Sequence, residues 1–498
     1  MESVSSDKSS LRVVTNGAVI FFLGKGVSNA TQFLLQLLLT RTVGAASFGV
    51  YSYAMTILSV VGVFARLGVT ESIMRFVPEF EDDKKAQGRY VTIAFCTSIV
   101  GSLLASLILF HQADNISAYT LDNPVFADVL RIFAILLPFQ VLTQAIYNTF
   151  RAFEDAKYQI FIRDVLVPIL NILSIGIALF LGATIIGASA AVAFAGLLAA
   201  VISLVLLAQK INIDINVNTD RNEIYTYYNF SVPLTLTAAG SLLYTNVDRL
   251  MVGYFLGDVE VGIYAISIGL ATATGLALTG INQLFPPIAS KLHTQGERKE
   301  LNNVFQTVTR WSFTICLLPA VLLYVYRFEV LALFGPEFTA GSLVLSLFVV
   351  AQVTRSAVGP SGYMLMMSGH QYVVLFNRWF LGVSNVVANY ILIIRYGFIG
   401  AAIASALTLA VVNLFRLIEI WLLEGYNPYT PKVIKPIAAG LVAYSLSMLV
   451  RTGLSSNGLS GIVLIIFGCV IGAIVYTAII FSLGIDNKDR KIYNELKG

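Results

Sequence analysis

Basic side chains inside long apolar stretches are the residues of this sequence best placed to do chemistry. Eight of its 32 Lys and Arg residues are in that position. A charge at the centre of a bilayer costs about 3 kcal/mol or more unless it has a partner or water. An acid three or four residues along the same helix would explain three of them: Arg75 with Glu71, Arg131 with Asp128, and Arg416 with Glu419. Arg310 lies about two turns inside its stretch, so for this residue both a reach to water and a functional role stay open. Four have no such explanation: Lys25, Arg66, Arg249 and Arg355.

Lys25 belongs to the clearest pattern. Asn29, Gln32 and Gln36 follow it at spacings of four, seven and eleven, which places all four side chains on one face of a helix. Two interpretations stay open for this face. It is either a hydrogen-bonded seam between helices or one wall of a water-filled cavity, and a mid-membrane cation with no acid three or four residues away favours the cavity.

Polar residues accompany the other cations. Asp248 precedes Arg249, and Pro360 should break the helix just after Arg355. Asp248 ends a polar face whose other members are Thr237, Ser241 and Thr245. Guanidinium groups suit phosphate, and amides suit sugar hydroxyls. The predicted substrate-binding residues are Lys25, Asn29, Gln32, Gln36, Arg66, Asp248, Arg249, Arg310 and Arg355. No catalytic residue, metal site or cofactor is predicted.

Fourteen apolar stretches, each long enough to cross a bilayer, must position these residues. A spanning helix needs about 20 mostly apolar residues, and here 57% of the residues are hydrophobic and only 12% are charged. The runs are too long for barrel strands, so the predicted fold is an all-α integral membrane protein. The spans are 14–38, 48–76, 88–111, 124–152, 158–182, 185–209, 227–256, 261–288, 302–326, 341–368, 373–394, 398–423, 433–450 and 459–483.

Lys and Arg are distributed unequally between the two sides of this predicted bundle. Twenty are counted to the side of the N-terminus, Arg163 among them, and four to the other side. Positively charged loops stay in the cytoplasm. We therefore expect a multi-pass protein of the cell (plasma or cytoplasmic) membrane with both termini in the cytoplasm.

The sequence repeats at an offset of 213 residues. The Gly-x4-Gly-x-Tyr motif of 44–51 returns at 257–264, and the Ile-Gly-Ala of 186–188 returns at 399–401. Six spans per repeat give two halves of like orientation, as in transporters with parallel repeats. The predicted parts are an N-terminal lobe (1–210, six spans), a C-terminal lobe (211–425, six spans) and two further helices with a cytoplasmic tail (426–498).

Five segments relate the chain to a known family: 39–51 (LTRTVGAASFGVY), 246–264 (NVDRLMVGYFLGDVEVGIY), 285–291 (FPPIASK), 334–338 (FGPEF) and 393–406 around YGFIGAA. They resemble the Wzx-like polysaccharide and oligosaccharide-lipid flippases. These belong to the multidrug/oligosaccharidyl-lipid/polysaccharide exporter superfamily, which also contains the MATE exporters. The resemblance implies two six-helix lobes in a V, two extra C-terminal helices and alternating access of a central cavity. It also implies a cargo glycan on a polyprenyl phosphate or diphosphate.

The predicted function is a transporter that flips a lipid-linked oligosaccharide from the cytoplasmic to the outer leaflet, for cell-surface polysaccharide or glycoprotein assembly. Two alternatives stay open: a MATE-like, cation-coupled drug exporter, and an integral-membrane glycan polymerase or glycosyltransferase. The first would favour carboxylates, and the second a larger outer loop than the longest one here, of 14 residues. Predicted partners are the polyprenyl-phosphate-linked glycan and the bilayer. A coupling ion, H+ or Na+, and glycan-assembly enzymes are left open, and neither enzyme activity nor nucleic-acid binding is expected.

Overall fold

A computed structural model describes residues 2–211, 220–456 and 461–483, with side chains outside 2–22, 243 and 244. Every regular element in these ranges is a helix, which confirms the predicted all-α fold. The helices group into two compact units, Met1–Gly262 and Ile263–Gly498. The lobe boundaries at 210 and 425 stay a prediction.

Local capping signals begin several helices of the first unit. Asp83 accepts from the backbone N–H groups of Lys85 and Ala86 at the start of one helix, and Asp220 forms a capping box with Glu223 at another. The helices are α1 (Glu2–Arg66), α2 (Val69–Glu79), α3 (Lys84–Tyr119), α4 (Pro124–Ala152), α5 (Ala156–Ile160), a π segment (Phe161–Leu166), α6 (Val167–Phe180), α7 (Ile185–Lys210), α8 (Arg221–Thr245) and α9 (Val247–Phe255).

The second unit contains the remaining helices, and some of them are separated by short breaks. Gly359, with φ of 62°, and Pro360 separate two of them, so the predicted break after Arg355 is confirmed. The helices are α10 (Asp258–Ala273), which begins in the first unit, α11 (Leu276–Thr294), α12 (Arg298–Val325), α13 (Arg327–Ala332), a 3-10 turn (Pro336–Gly341), α14 (Ser342–Val358), α15 (Ser361–Met367), α16 (Gln371–Glu424), a 3-10 turn (Pro431–Val433), α17 (Ile434–Ser456) and α18 (Gly461–Ser482).

Two of the longest helices are pairs joined at a glycine. Gly44, with φ of 75°, interrupts α1, and Gly397, with φ of 60°, interrupts α16. Such positive φ values suit glycine because it has no Cβ. Within the described ranges, ten helices are long and apolar enough to cross a membrane, or up to eleven when the bent pair α10–α11 counts as one span. The chain is therefore a multi-span membrane protein, while the number of 14 spans stays a prediction.

The repeated glycine motif forms a close helix crossing inside the first unit. A Cβ on Gly49 would lie 2.6 Å from the carbonyl carbon of Asp258 and 3.1 Å from the nitrogen of Gly262. A Cβ on Gly262 would lie 3.3 Å from the carbonyl carbon of Ala45 and 3.2 Å from the nitrogen of Gly49. The contact is reciprocal, as in a two-fold interface. Glycine at both positions therefore allows backbone to touch backbone.

The tyrosine that ends each copy of the motif is buried against an aromatic ring. Tyr51 meets Phe133 edge-on, with ring centroids 5.4 Å apart. In the second unit Tyr264 meets Phe348 in the same manner at 5.9 Å. Edge-to-face pairs of this kind contribute about 0.5–1.5 kcal/mol beyond the area they bury. Each copy of the motif thus anchors its helix in the core of the unit that holds its tyrosine.

Candidate functional site

Lys25 lies opposite a buried carboxylate of the first unit. Its Nζ is 3.9 Å from Oδ1 of Asp164, and the Asp164 side chain is 2% exposed against 33% for Lys25. Helix α1 comes close to this segment at Gly24, where a Cβ would lie 3.5 Å from the Cβ of Asp164. The mid-span cation therefore has an acid partner after all, and it comes from another helix.

The π segment between α5 and α6 holds this carboxylate. A π turn is a widened helical turn, and such turns are frequent at functional sites. Within it Arg163 donates to Oδ2 of Asp164 from Nε at 2.9 Å and from Nη2 at 2.7 Å. Two cations thus share one acid, with Arg163 on one carboxylate oxygen and Lys25 facing the other.

Arg66 is the last residue of α1, directly before the break that leads to α2. Its Nη1 donates to Oε1 of Gln144 on α4 at 2.6 Å. Among the residues that the structure describes, no carboxylate forms an ion pair with Arg66. Tyr147, one turn along α4, lies near Arg66, Arg163 and Asp164. The basic groups at the two ends of this region therefore belong to one cluster.

Neutral side chains continue the polar region along α1 and α4. Asn148, 3% exposed, donates to Oγ1 of Thr70 at 3.3 Å and to the carbonyl of Gln144 at 2.9 Å. The three amides of the predicted stripe, Asn29, Gln32 and Gln36, lie on α1 between Lys25 and the Gly44 kink. Gln32 is exposed and the other two are half-buried. Their role in sugar binding stays a prediction.

Asp248 and Arg249 lie at the start of α9, where Asn246 has ended α8. Oδ1 of Asp248 accepts from the backbone N–H of Arg249 at 2.9 Å, and Asp248 is 5% exposed. The Nε of Arg249 is buried without a hydrogen-bond partner in the described ranges. The predicted polar face also includes Thr237, Ser241 and Thr245. Each of these hydroxyls donates to the carbonyl four residues earlier in its own helix, so its hydrogen is not available to a ligand.

In the second unit, Arg355 is half-buried on α14, one turn before the break at Gly359. Two buried polar atoms beside helix breaks lack partners among the described residues. One is Oε1 of Gln352, which would lie 3.3 Å from a Cβ on Gly275 between α10 and α11, and the other is Oγ1 of Thr309, packed against Gly359. Arg310 follows on α12 and is half-buried. Convergence of the second unit's cations with those of the first stays a prediction.

Two interpretations of charged residues are corrected by the structure. Arg75 pairs with Glu79 at 3.2 Å rather than with Glu71, and both side chains of the pair are 47% exposed near the end of α2. Arg163, counted above with the cytoplasmic loops, lies inside the candidate span Ala156–Phe180 and bonds the acid beside it. The cation cluster of the first unit is therefore larger by one residue than predicted.

The residue that sequence reasoning missed is Asp164. A signal was available, because an acid inside an apolar span is itself a sign of a functional site. In the described ranges no group of three His, Cys, Asp or Glu side chains could hold a metal. What the first unit gathers instead is a set of hydrogen-bond donors: one ammonium, two guanidinium groups and several amides.

Comparison with known proteins relates the chain to glycan export. Residues 38–340 match the family described as "Polysaccharide biosynthesis protein". A probable low-salt glycan biosynthesis flippase of Haloferax volcanii is 22% identical over 402 residues, which cover 80% of this chain and 81% of that protein. Two solved structures share the fold. They are the lipid II flippase MurJ in an inward closed conformation (TM-score 0.73, 14% identity, 93% of this chain and 98% of that one) and an inward-facing MATE multidrug resistance transporter of the MOP superfamily (0.70, 14%, 82% and 99%).

Proposed function

The chain belongs to the polysaccharide biosynthesis protein family, and from that premise we propose that it flips a lipid-linked oligosaccharide from the cytoplasmic to the outer leaflet. The cargo is a glycan on a polyprenyl phosphate or diphosphate, destined for cell-surface polysaccharide or glycoprotein. The relative from Haloferax volcanii, named as a glycan biosynthesis flippase, supports this cargo class. The protein acts as a transporter by alternating access rather than as an enzyme, in the cell membrane and with both termini in the cytoplasm.

The environment of Arg66 is the observation that supports an anionic cargo most directly. Its guanidinium lies in a membrane-spanning unit and donates to a neutral amide, that of Gln144. Glu71, an exposed acid of α2, acts on Arg66 without forming an ion pair in the described ranges, so the guanidinium still has donors to offer to water or to a further anion. A phosphate supplies that anion, and it accepts the paired N–H groups of a guanidinium in a bidentate geometry.

The predicted site residues divide by chemistry between the two parts of such a cargo. The phosphate is held by the basic side chains, Lys25, Arg66, Arg249, Arg310 and Arg355, with Asp248 moderating the charge. The sugar hydroxyls are bound by the amides on α1, Asn29, Gln32 and Gln36. Both assignments follow from the donor sets of these side chains.

A drug exporter of the MATE type is the alternative in the same superfamily, and the acids of the first unit argue against it. An organic cation needs an accessible carboxylate. Asp164 is 2% exposed with one oxygen bonded twice by Arg163, and Asp248 accepts from the backbone of Arg249. The acids are thus bound internally, while the basic side chain of Lys25 is the more exposed partner.

The test is leaflet translocation by purified protein in vesicles, with a fluorescent polyprenyl diphosphate N-acetylglucosamine as the probe. Arg66→Gln and Arg355→Gln each remove one charge-assisted hydrogen bond to phosphate, worth about 1.5–3 kcal/mol. We therefore expect the translocation rate to fall by about 10- to 100-fold. Arg66→Lys keeps the charge without the fork of donors, and we expect it to retain part of the rate.

Arg131→Gln is the matched control, because Arg131 already bonds two acids, Asp114 and Asp128, away from the cluster. It should translocate the probe at nearly the wild-type rate. The thermal midpoint of every variant is measured on the same samples, so that unfolding is separated from lost transport. Stable Arg→Gln variants with full activity would show that the cations hold no phosphate. Transport of ethidium in place of the glycolipid would favour the exporter.

A further inference from the structure

We infer that Asp164 is an internal counter-anion, which holds Lys25 while the transporter is empty and yields it to the phosphate of the cargo. The inference rests on the proposed function and adds a positioning residue to it. In the loaded protein the phosphate takes Lys25, and Asp164 keeps Arg163. The acid thereby sets how tightly the anion is bound and how readily it leaves.

The two oxygens of Asp164 are held differently. Oδ2 accepts two hydrogen bonds from Arg163, at 2.9 and 2.7 Å. Oδ1 faces Lys25 at 3.9 Å, which is beyond the roughly 2.7–3.2 Å of an N–H···O hydrogen bond. Asp164 and Arg163 therefore form a fixed pair, whereas Lys25 is attracted to the acid without being bonded to it.

The two side chains of the Lys25–Asp164 contact differ in how accessible they are to a ligand. The Asp164 side chain is 2% exposed and that of Lys25 is 33% exposed. An anion can therefore approach the ammonium without displacing the carboxylate from its place. Because the lysine stem is long and flexible, its head can turn from one anion to the other.

The need for such an acid follows from the cost of charge in a membrane. An empty carrier must expose its binding residues again after each delivery, and an ammonium without a counter-anion at that depth is expensive. Asp164 lowers that cost in the empty state. In the loaded state the same carboxylate competes with the phosphate for Lys25, so it weakens binding and speeds release.

The backbone is shaped to bring these groups together. Gly24 lets α1 approach the π segment, since a Cβ there would meet Cγ2 of Ile160 at 2.5 Å. The π segment itself contains both Arg163 and Asp164. From α4, Tyr147 is the further titratable group that lies near Asp164. Three elements of the first unit thus surround one carboxylate.

The test measures binding of farnesyl diphosphate to the purified full-length protein in nanodiscs, with farnesol as the uncharged control. Asp164→Asn removes the competing anion, and we expect it to tighten farnesyl diphosphate binding by about threefold to tenfold. In a Lys25→Gln/Arg163→Gln background, which lacks both cations that face the acid, the same change should alter the affinity by less than about twofold. Asp128→Asn, which removes a different acid from an arginine pair, should change neither probe's affinity.

A second variant guards against misfolding, because Asp164→Asn leaves Arg163 without its acid. Arg163→Gln with Asp164→Asn removes the fixed pair together and should still tighten binding, because Lys25 is freed of its competing anion. If Asp164 is purely structural, its replacement will lower the thermal midpoint and leave the affinity of the folded protein for farnesyl diphosphate unchanged. That result would overturn the inference. Equal tightening with and without Lys25 would also overturn it, because the acid would then act on the site as a whole.

The failure of the inference can be told apart from the failure of the proposed function. If the wild type binds farnesyl diphosphate no better than farnesol, there is no phosphate site and both fail. If binding depends on Lys25 and Arg66 but is unchanged or weakened in Asp164→Asn, the phosphate site stands and the counter-anion does not.

Discussion

Alanine at either glycine of the reciprocal helix crossing should destabilise the protein, and the structure sets the size of the effect. A Cβ at position 49 or 262 would clash with the carbonyl oxygen of Asp258 or Ala45, respectively, and would meet further backbone atoms of the facing helix at 2.6–3.3 Å. Backbone atoms cannot rotate aside as a flexible side chain can, so the helices must separate. Overpacking of this kind costs about 1–3 kcal/mol, and we expect Gly49→Ala and Gly262→Ala to lie in the upper half of that range.

A second term opposes the first. Alanine stabilises a helix interior relative to glycine by about 1 kcal/mol. The net destabilisation expected for each variant is therefore about 1–2 kcal/mol. The two glycines meet in one contact, so helices that have separated to accept the first methyl group also accept the second. The destabilisation of the double variant should therefore be smaller than the sum of the two single effects.

The assay is thermal unfolding of the purified protein in detergent, compared at one scan rate because such transitions are often irreversible. Gly453→Ala is the matched control, since that glycine lies in α17 with nothing within 4 Å of an added Cβ. It should gain the helix term alone and unfold at a higher temperature than the wild type. If Gly49→Ala and Gly262→Ala match this control, the helices do not cross as closely as described.

Two further predictions concern the contact between α13 and α17 and the topology. Arg451→Ala leaves Glu329, 16% exposed, without the 2.7 Å ion pair that links α13 to α17. It should lower the free energy of unfolding by about 1–3 kcal/mol. In the same thermal assay, the double variant Arg451→Ala/Glu329→Ala should recover most of that loss. In a background without native cysteines, Asp122→Cys should react with an impermeant maleimide in intact cells and Asp83→Cys should not, and labelling at position 83 would reverse the proposed orientation.

The positions of several helices were predictable because those helices are encoded by their own residues. The predicted span 124–152 coincides with α4, and 88–111 falls inside α3. Burial of an apolar run in a membrane requires a helix whatever its neighbours are, because the backbone must satisfy itself. The break after Arg355 was equally local, since a proline prevents the helix from continuing.

The partners of the charged residues were not predictable in the same way. Spacing on one helix suggested Glu71 for Arg75, yet Glu79 is equally distant in sequence and is the one that bonds. Glu71 and Glu79 are both exposed, so access to water does not decide between them, whereas the guanidinium of Arg75 also lies 4.3 Å from the ring centroid of Phe230 on α8. Sequence periodicity shows which acids share a helix face with a basic residue, but it carries no information on the neighbouring helices that decide which acid binds it.

Lys25 and Arg66 show why the rest of the candidate site could not be predicted without knowing the fold. In the sequence both are basic residues in apolar runs, and the same argument covered both. In the structure one faces a carboxylate that is 139 positions away along the chain, at Asp164, and the other donates to the amide of Gln144. These partners give the two cations different properties, because Lys25 faces a buried anion at 3.9 Å that competes with any ligand, whereas the acid that acts on Arg66, Glu71, is exposed and forms no ion pair with it in the described ranges. Neutralising Arg66 should therefore weaken phosphate binding more than neutralising Lys25, an order that the sequence alone could not have set.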